Sequence, residues 1–287
     1  MPRLGTVKKS HLLKRYSPLP GFRSSLGFTW IYLAIIVLLP LTAIMLGSFR
    51  GGSDRFLHAI STPRVLASFR VTLESAVLAS LVTSVFGSLV AWVLARYNFP
   101  GRRIVDALID LPFALPTAVA GISLTSLYSE NGWIGRFLEP HGIRIAFTQL
   151  GIVLAMSFVG LPFVVRSVQP VLEDIDAAME EAAISLGASD WQVFARILAP
   201  VCMPALVTGA VLAFARAAGE YGSVIFIAGN MPMKTEIASL LVVTKLEEYD
   251  YTGASAIAVA MLALSFAVML ALNLLQWRLQ RREGSRA

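Results

Sequence analysis

The chain is poor in residues that do chemistry. It has one cysteine, Cys202, and three histidines, His11, His58 and His141. One cysteine closes no internal disulfide and assembles no zinc site, and the histidines lack metal-ligand spacing. No lysine follows a glycine, so there is no phosphate-binding loop of the Walker type, and any nucleotide chemistry has to come from another subunit. Charge is scarce too, at 15% of residues against 56% hydrophobic, with a mean hydropathy of +0.70. A soluble core of 287 residues does not hide that much apolar surface, so the chain belongs in a bilayer.

The missing charge leaves six uninterrupted apolar windows, 24–49, 75–95, 111–129, 145–165, 197–215 and 251–277. Each is close to the ~20 residues a spanning helix needs, and none alternates with period two as a barrel strand would. The reading is an all-α membrane protein with six transmembrane helices: a basic N-terminus over 1–23, a six-span domain over 24–277 and a tail over 278–287. The first window follows Lys8, Lys9, Lys14, Arg15 and Arg23, but it is longer than the roughly 7–15 residues of a signal core and ends in no clear cleavage pattern, which makes it an anchor. Six spans put both termini on one side. With the termini in the cytoplasm, 15 Lys/Arg lie inside and nine outside, as the positive-inside rule prefers. A net charge of +6 in a soluble protein would point to nucleic acid. Here the basic residues sit at membrane edges facing anionic lipid, and no nucleic-acid partner is expected.

Between Arg166 and Arg196 every charged residue is acidic: Glu173, Asp174, Asp176, Glu180, Glu181 and Asp190. Acid suits the positive end of a helix, and Ala177, Ala178, Ala182 and Ala183 are strong helix formers, so a short helix is expected over 176–186, stopped at Gly187. Ser189 and Gln192 have capping-box spacing and start a second helix through Trp191. The result is a small knob over 166–200 between two spans. A merely solvated linker would need neither the Glu-Ala-Ala-x3-Gly spacing nor Trp191, Phe194 and Ile197 at i, i+3 and i+6.

A second unusual stretch runs over 214–232. Arg216 and Glu220 share a helix face at the outer end of the fifth span, and Gly219, Gly222 and Gly229 then punctuate an apolar run over 221–228 too short to cross a membrane. A re-entrant element is expected there, with ionisable groups either lining a pathway or neutralising one another. Pro112 and Pro116 should break the third helix. Ala205, Gly209, Ala213 and Ala217 form a small-residue stripe that packs either within this subunit or on a second one.

Glu181, Ala182, Ala183, Gly187, Ile197 and Pro200 closely resemble the EAA loop of permease subunits of binding-protein-dependent ABC importers; Ala199 stands where their pattern has Leu. The segments DLPFALPTAVAG at 110–121 and FARAAGEYGSVIFIAGNMP at 214–232 look like the sulfate/thiosulfate permeases of the CysT type, with molybdate permeases their nearest relatives, and Tyr221, Ser223 and Val224 lean towards sulfate. The resemblance extends from about 30 to 277. It implies a type I, MetI-like permease fold in the inner (plasma) membrane, without enzymatic activity or cofactor of its own. ATP and Mg would be bound by a partner ATPase dimer, a homologous second permease of the CysW type would complete the pathway, and a periplasmic sulfate-binding protein would deliver sulfate or thiosulfate. Glu181, Ala182, Ala183 and Gly187 would form the coupling helix; Arg216, Glu220, Tyr221, Ser223, Pro112 and Pro116 would serve the pathway. The alternatives are molybdate or tungstate import, a secondary anion transporter or a membrane enzyme. The last two call for an inverted hydropathy repeat or a catalytic cluster, and the sequence has neither.

Overall fold

The structure, a computed structural model, describes the backbone over 22–283 and side chains over 24–274, and no strand occurs among these residues. His11 and most of the basic N-terminus lie outside the described residues. The tail continues the last helix to Glu283, and its end is likewise outside. Two units are distinguished, 1–46 and 47–287.

The first unit holds helix α1, Ser24–Ser48, up to Leu46. Its regular ladder widens to a π-turn over Ala34–Leu38, two residues before Pro40. Proline has no N–H to give and its ring crowds the carbonyl one turn upstream, so the turn before it opens.

The second unit begins with a short helix, α2, Gly52–Ile60, whose Phe56 ring stacks on Phe49 at 4.7 Å. Next comes α3, Pro63–Arg96, capped by the Thr62 side chain with Pro63 at its first turn. The α3 hydroxyls of Ser68, Thr72, Thr83 and Ser88 donate back to carbonyls three or four residues earlier, so none of these four is stranded in the apolar interior. The third apolar window is broken as its prolines predict. It follows α4, Arg102–Ile109, and is divided between α5, Leu111–Ala114, and α6, Thr117–Tyr128, with Leu115 and Pro116 extended between the two. Helix α6 has 12 residues. At 1.5 Å per residue it covers about 18 Å, short of the ~30 Å hydrocarbon layer.

Helix α7, Gln149–Asp174, is the centre of the core. It lies beside α3 and runs in the same direction: Gln149, at the start of α7, donates to Ser75, about a third of the way along α3, at 3.5 Å, while Arg102, just past α3, reaches Glu173 at the other end at 3.2 Å. The chain over 97–148 must therefore return the full length of the bundle, so the broken segment is a crossing despite its breaks. Among the described residues five helices are long and apolar enough to span alone. The third of the six spanning helices expected from the sequence is instead a run of short helices.

After the knob, α9, Asp190–Ala218, runs back against α7. A Cβ on Gly209 would lie 2.9 Å from the Val164 backbone, and Gly160 sits on the Ala213 methyl. The small-residue stripe thus packs on α7 within this chain. A second π-turn, Phe194–Leu198, precedes Pro200 as the first precedes Pro40. A helical turn, α10, Val224–Ile227, then α11, Ala238–Glu247, and α12, Tyr251–Glu283, complete the unit. Buried Phe214, Ile152, Met156, Val224 and Ile227 form an outer core; Leu94, Val164, Val165, Leu172 and Leu198 form one towards the knob.

Candidate functional sites at the two ends of the bundle

The knob is built as its sequence dictates. Helix α8, Ala177–Ser185, starts at Asp176, whose carboxylate accepts from the Ala178 N–H at 2.9 Å. It stops at Gly187, at φ +87°. The N–H groups of Ala188 and Gly187 donate to the carbonyls of Ala183 and Ile184, the two crossed bonds of a Schellman stop, which need a residue in the left-handed region. The capping box is reciprocal: Gln192 N–H donates to Ser189 Oγ at 3.4 Å and Ser189 N–H to Gln192 Oε1 at 2.9 Å. Glu181, Ala182 and Gly187 are exposed, alongside Met179, Ile184, Leu186 and Trp191, with Leu186 at 89%. An acid ringed by bare apolar side chains is a surface suited to a partner. Ala183 instead packs inward on the inner core. Glu180, which the sequence reading left unassigned, pairs with Arg96 at 2.7 Å, and the Arg96 guanidinium lies over the Trp92 ring. Phe194 meets Trp92 edge-on at 5.8 Å, so the knob is held to the end of α3 as well as to its own two spans.

At the opposite end, the run after α9 folds as a buried turn. Arg216 and Glu220 pair at 2.5 Å, with the Glu220 side chain 1% exposed and that of Arg216 34%. Glu220 Oε1 also accepts from the N–H and Oγ of Ser223, both at 2.9 Å, and the Glu220 carbonyl accepts from Ser239 Oγ at 2.8 Å. The carboxylate therefore organises the turn from within, and of the two charges the guanidinium is the one partly exposed. This turn rests on α6: a Cβ on Gly121 would lie 2.4 Å from the Ser223 carbonyl, and one on Gly222 2.1 Å from Thr117 Oγ1. Pro116, by starting α6, brings Thr117 and Gly121 to this turn, so Pro116, Ser223, Glu220 and Arg216 belong to one assembly, with Tyr221 half-buried beside it. Pro112 is elsewhere, buried in α5, whose Phe113 packs on Phe163 of α7.

Two ionic sites escaped the sequence reading. Arg64 grips Glu236 with two bonds, at 2.8 and 2.6 Å. Arg166 of α7 meets Asp106 at 2.7 Å and Asp110 at 2.6 Å. The i, i+4 spacing of Asp106 and Asp110 was a visible sign of one shared face, but nothing in the sequence announces a partner 56 residues away. Cys202 is half-buried with no second thiol, and no metal-holding cluster of His, Cys, Asp and Glu occurs among the described residues.

The profile of the binding-protein-dependent transport system inner membrane component family matches residues 83–283. The sulfate transport system permease protein CysT of Escherichia coli strain K12 is 50% identical over 264 residues, covering 92% of this chain and 95% of its own. That of Synechocystis is 48% identical over 271 residues, 93% of each. Among solved structures, a bacterial ABC transporter involved in import of the acidic polysaccharide alginate superposes with a TM-score of 0.74 at 18% identity, over 89% of this chain and 94% of that one. The MetNI methionine ABC transporter gives 0.57 at 18% identity, over 74% and 94%. At those identities the superpositions show a shared fold, that of ABC importer permeases. Taken with the match to the profile and to relatives of nearly equal length, the chain belongs to the binding-protein-dependent transport system inner membrane components.

Proposed function

We propose that this chain is the permease subunit of an ATP-driven sulfate/thiosulfate importer. It forms half of the pathway with a homologous second permease, receives cargo from a periplasmic binding protein and is driven by a separate ATPase dimer that binds ATP and Mg. The observation that carries this is the pair of relatives named as sulfate transport permeases, which match over nine-tenths or more of both lengths at about half identity. The energetics agree. A dianion entering a cell held ~100 mV negative inside climbs about 2 × 2.3 kcal/mol before any concentration term, so a passive pore would lose it. The described spans hold no chain of carboxylates or histidines for a proton relay, because Glu220 is already engaged by Arg216 and Ser223.

The knob over 166–200 supplies the ATPase contact through Glu181, Ala182 and Gly187, with Ala183 shaping it from below. The outer assembly of Arg216, Glu220, Tyr221, Ser223 and Pro116 lines or frames the pathway, and Pro112 sets the break that leads to it. Both termini lie in the cytoplasm. The test is uptake of radiolabelled sulfate in a strain lacking its own importer, with the chain expressed beside its partner subunits. Sulfate and thiosulfate should compete at equal concentration and molybdate should not; competition by molybdate alone would move the assignment to molybdate import.

A further inference from the structure

Arg166 is the most heavily engaged side chain described. Its Nε donates to Asp110 Oδ1 at 3.0 Å and Nη2 to Asp110 Oδ2 at 2.6 Å, a bidentate fork, while Nη1 donates to Asp106 Oδ1 at 2.7 Å and Gln169 Oε1 at 3.2 Å. Nη2 also donates to the Asp106 backbone carbonyl at 3.0 Å. That carbonyl is an orphan of the break in the third crossing. In a continued helix the Asp110 N–H would bond it, but α4 ends there and the Asp110 N–H turns to Ala107 at 3.2 Å. A guanidinium at a helix C-terminus satisfies the carbonyl and suits the negative end of the dipole. The cluster sums one guanidinium and two carboxylates, a net charge of −1, so it repels a sulfate dianion and is not a cargo site.

Its place in the chain gives it another role. Arg166 lies on α7 eight residues before that helix ends at Asp174 and hands over to the knob. Its bonds extend down the same face as a belt, from Gln169 to Glu173 at 3.1 Å and from Arg102 to Glu173 at 3.2 Å. On the other side, α4 and α5 lead through extended Leu115–Pro116 into α6, on which the Ser223 turn rests by backbone contact at Gly121. We propose that Arg166 is a positioning residue for transport: it clamps the first half of the broken crossing to the knob-bearing helix, so that both move as one body and the displacement reaches α6 and the outer turn through Leu115–Pro116. This rests on the permease reading above.

The test uses the whole complex, reconstituted in liposomes, with ATP hydrolysis and sulfate uptake measured in parallel. Arg166→Gln should assemble and hydrolyse ATP within twofold of wild type, yet uptake per ATP should fall at least tenfold; exchanging the charges, Arg166→Asp with Asp110→Arg, should recover a good part of that ratio. Spin labels at Ile104 of α4 and Asp174 of α7, in a chain with Cys202→Ala, should hold one distance with and without ATP in the parent and spread in Arg166→Gln. Unchanged uptake per ATP together with an unchanged label distance would overturn the proposal. If Arg166→Gln does not assemble, Arg166→Lys, which keeps the charge and cannot make the fork and the cap together, decides it: a reduced ratio sustains the clamp and a wild-type ratio refutes it. A parent complex that hydrolyses ATP but moves no sulfate would count against the cargo assignment alone, and the label distances would still decide Arg166.

Discussion

Gly187 owes its identity to conformation and not to space. No atom lies within 4 Å of where its Cβ would be, but its φ of +87° belongs to the region L side chains avoid. The cost of a side chain there is about 1–2 kcal/mol, roughly a five- to thirtyfold loss of the correctly turned knob, and asparagine suffers least. Gly187→Asn should keep most of the uptake, whereas Gly187→Val should lose most of it along with ATPase co-purification, at unchanged amounts of protein in the membrane. Equal uptake by both would mean that the turn does not aim the knob. Arg216 and Glu220 are residues of a different kind. The buried carboxylate holds three donors, so Glu220→Ala strands them and should destabilise the fold by about 2–3 kcal/mol, below the usual 3–5 for a broken buried pair because Arg216 is partly solvated. It should therefore lower the amount of protein. Arg216→Gln removes only the open partner and should cut uptake without that loss. The double variant Arg216→Gln with Glu220→Gln separates the roles: full transport would make the pair a structural bridge, and normal assembly with poor transport would keep Arg216 in the pathway.

Elements were legible in the sequence where the signal is local. The knob's start at Asp176, its stop at Gly187 and its restart at Ser189 all follow from side chains bonding backbone within a few residues, and all occur where the composition placed them. The break at Pro112 and Pro116 was legible for the same reason, since proline acts on its own turn. What the sequence did not disclose is which faces meet. Arg166 with Asp106 and Asp110, Arg64 with Glu236 and Arg96 with Glu180 join segments that are distant in the chain, and each is decided by what packs against α3 or α7. Among the proposed site residues, proximity of Pro116 to Ser223 could not be read, nor could the inward turn of Ala183.

At the scale of the molecule, the shared direction of α3 and α7 bears on the number of crossings. Five long helices alone would put the two ends of the chain on opposite sides; counting the return over 97–148 as a further crossing makes the number even, which supports the proposal that both termini are cytoplasmic. Reporter fusions at Leu186 and Gly284 should accordingly report cytoplasm, and fusions at Ile60, Phe137 and Lys245 periplasm. An external signal at Leu186 would remove the knob from the side on which ATP is found, and the permease reading would fall with it.

The π-turn over Phe194–Leu198 carries a consequence for how lengths compare in this family. A wide turn stores one surplus residue without advancing the helix, so the faces before and after it stay in phase as though that residue were missing. Losing Ala195 would let the ladder close into ordinary α-helix while Trp191 and Gly209 keep their bearings. Losing Ala205, in the regular stretch, would instead swing the knob by about 100° relative to the stripe on α7. Gaps of one residue in related sequences should therefore gather at 194–198 and be absent from the turns that follow, which gives sequence alignment a physical place to put them.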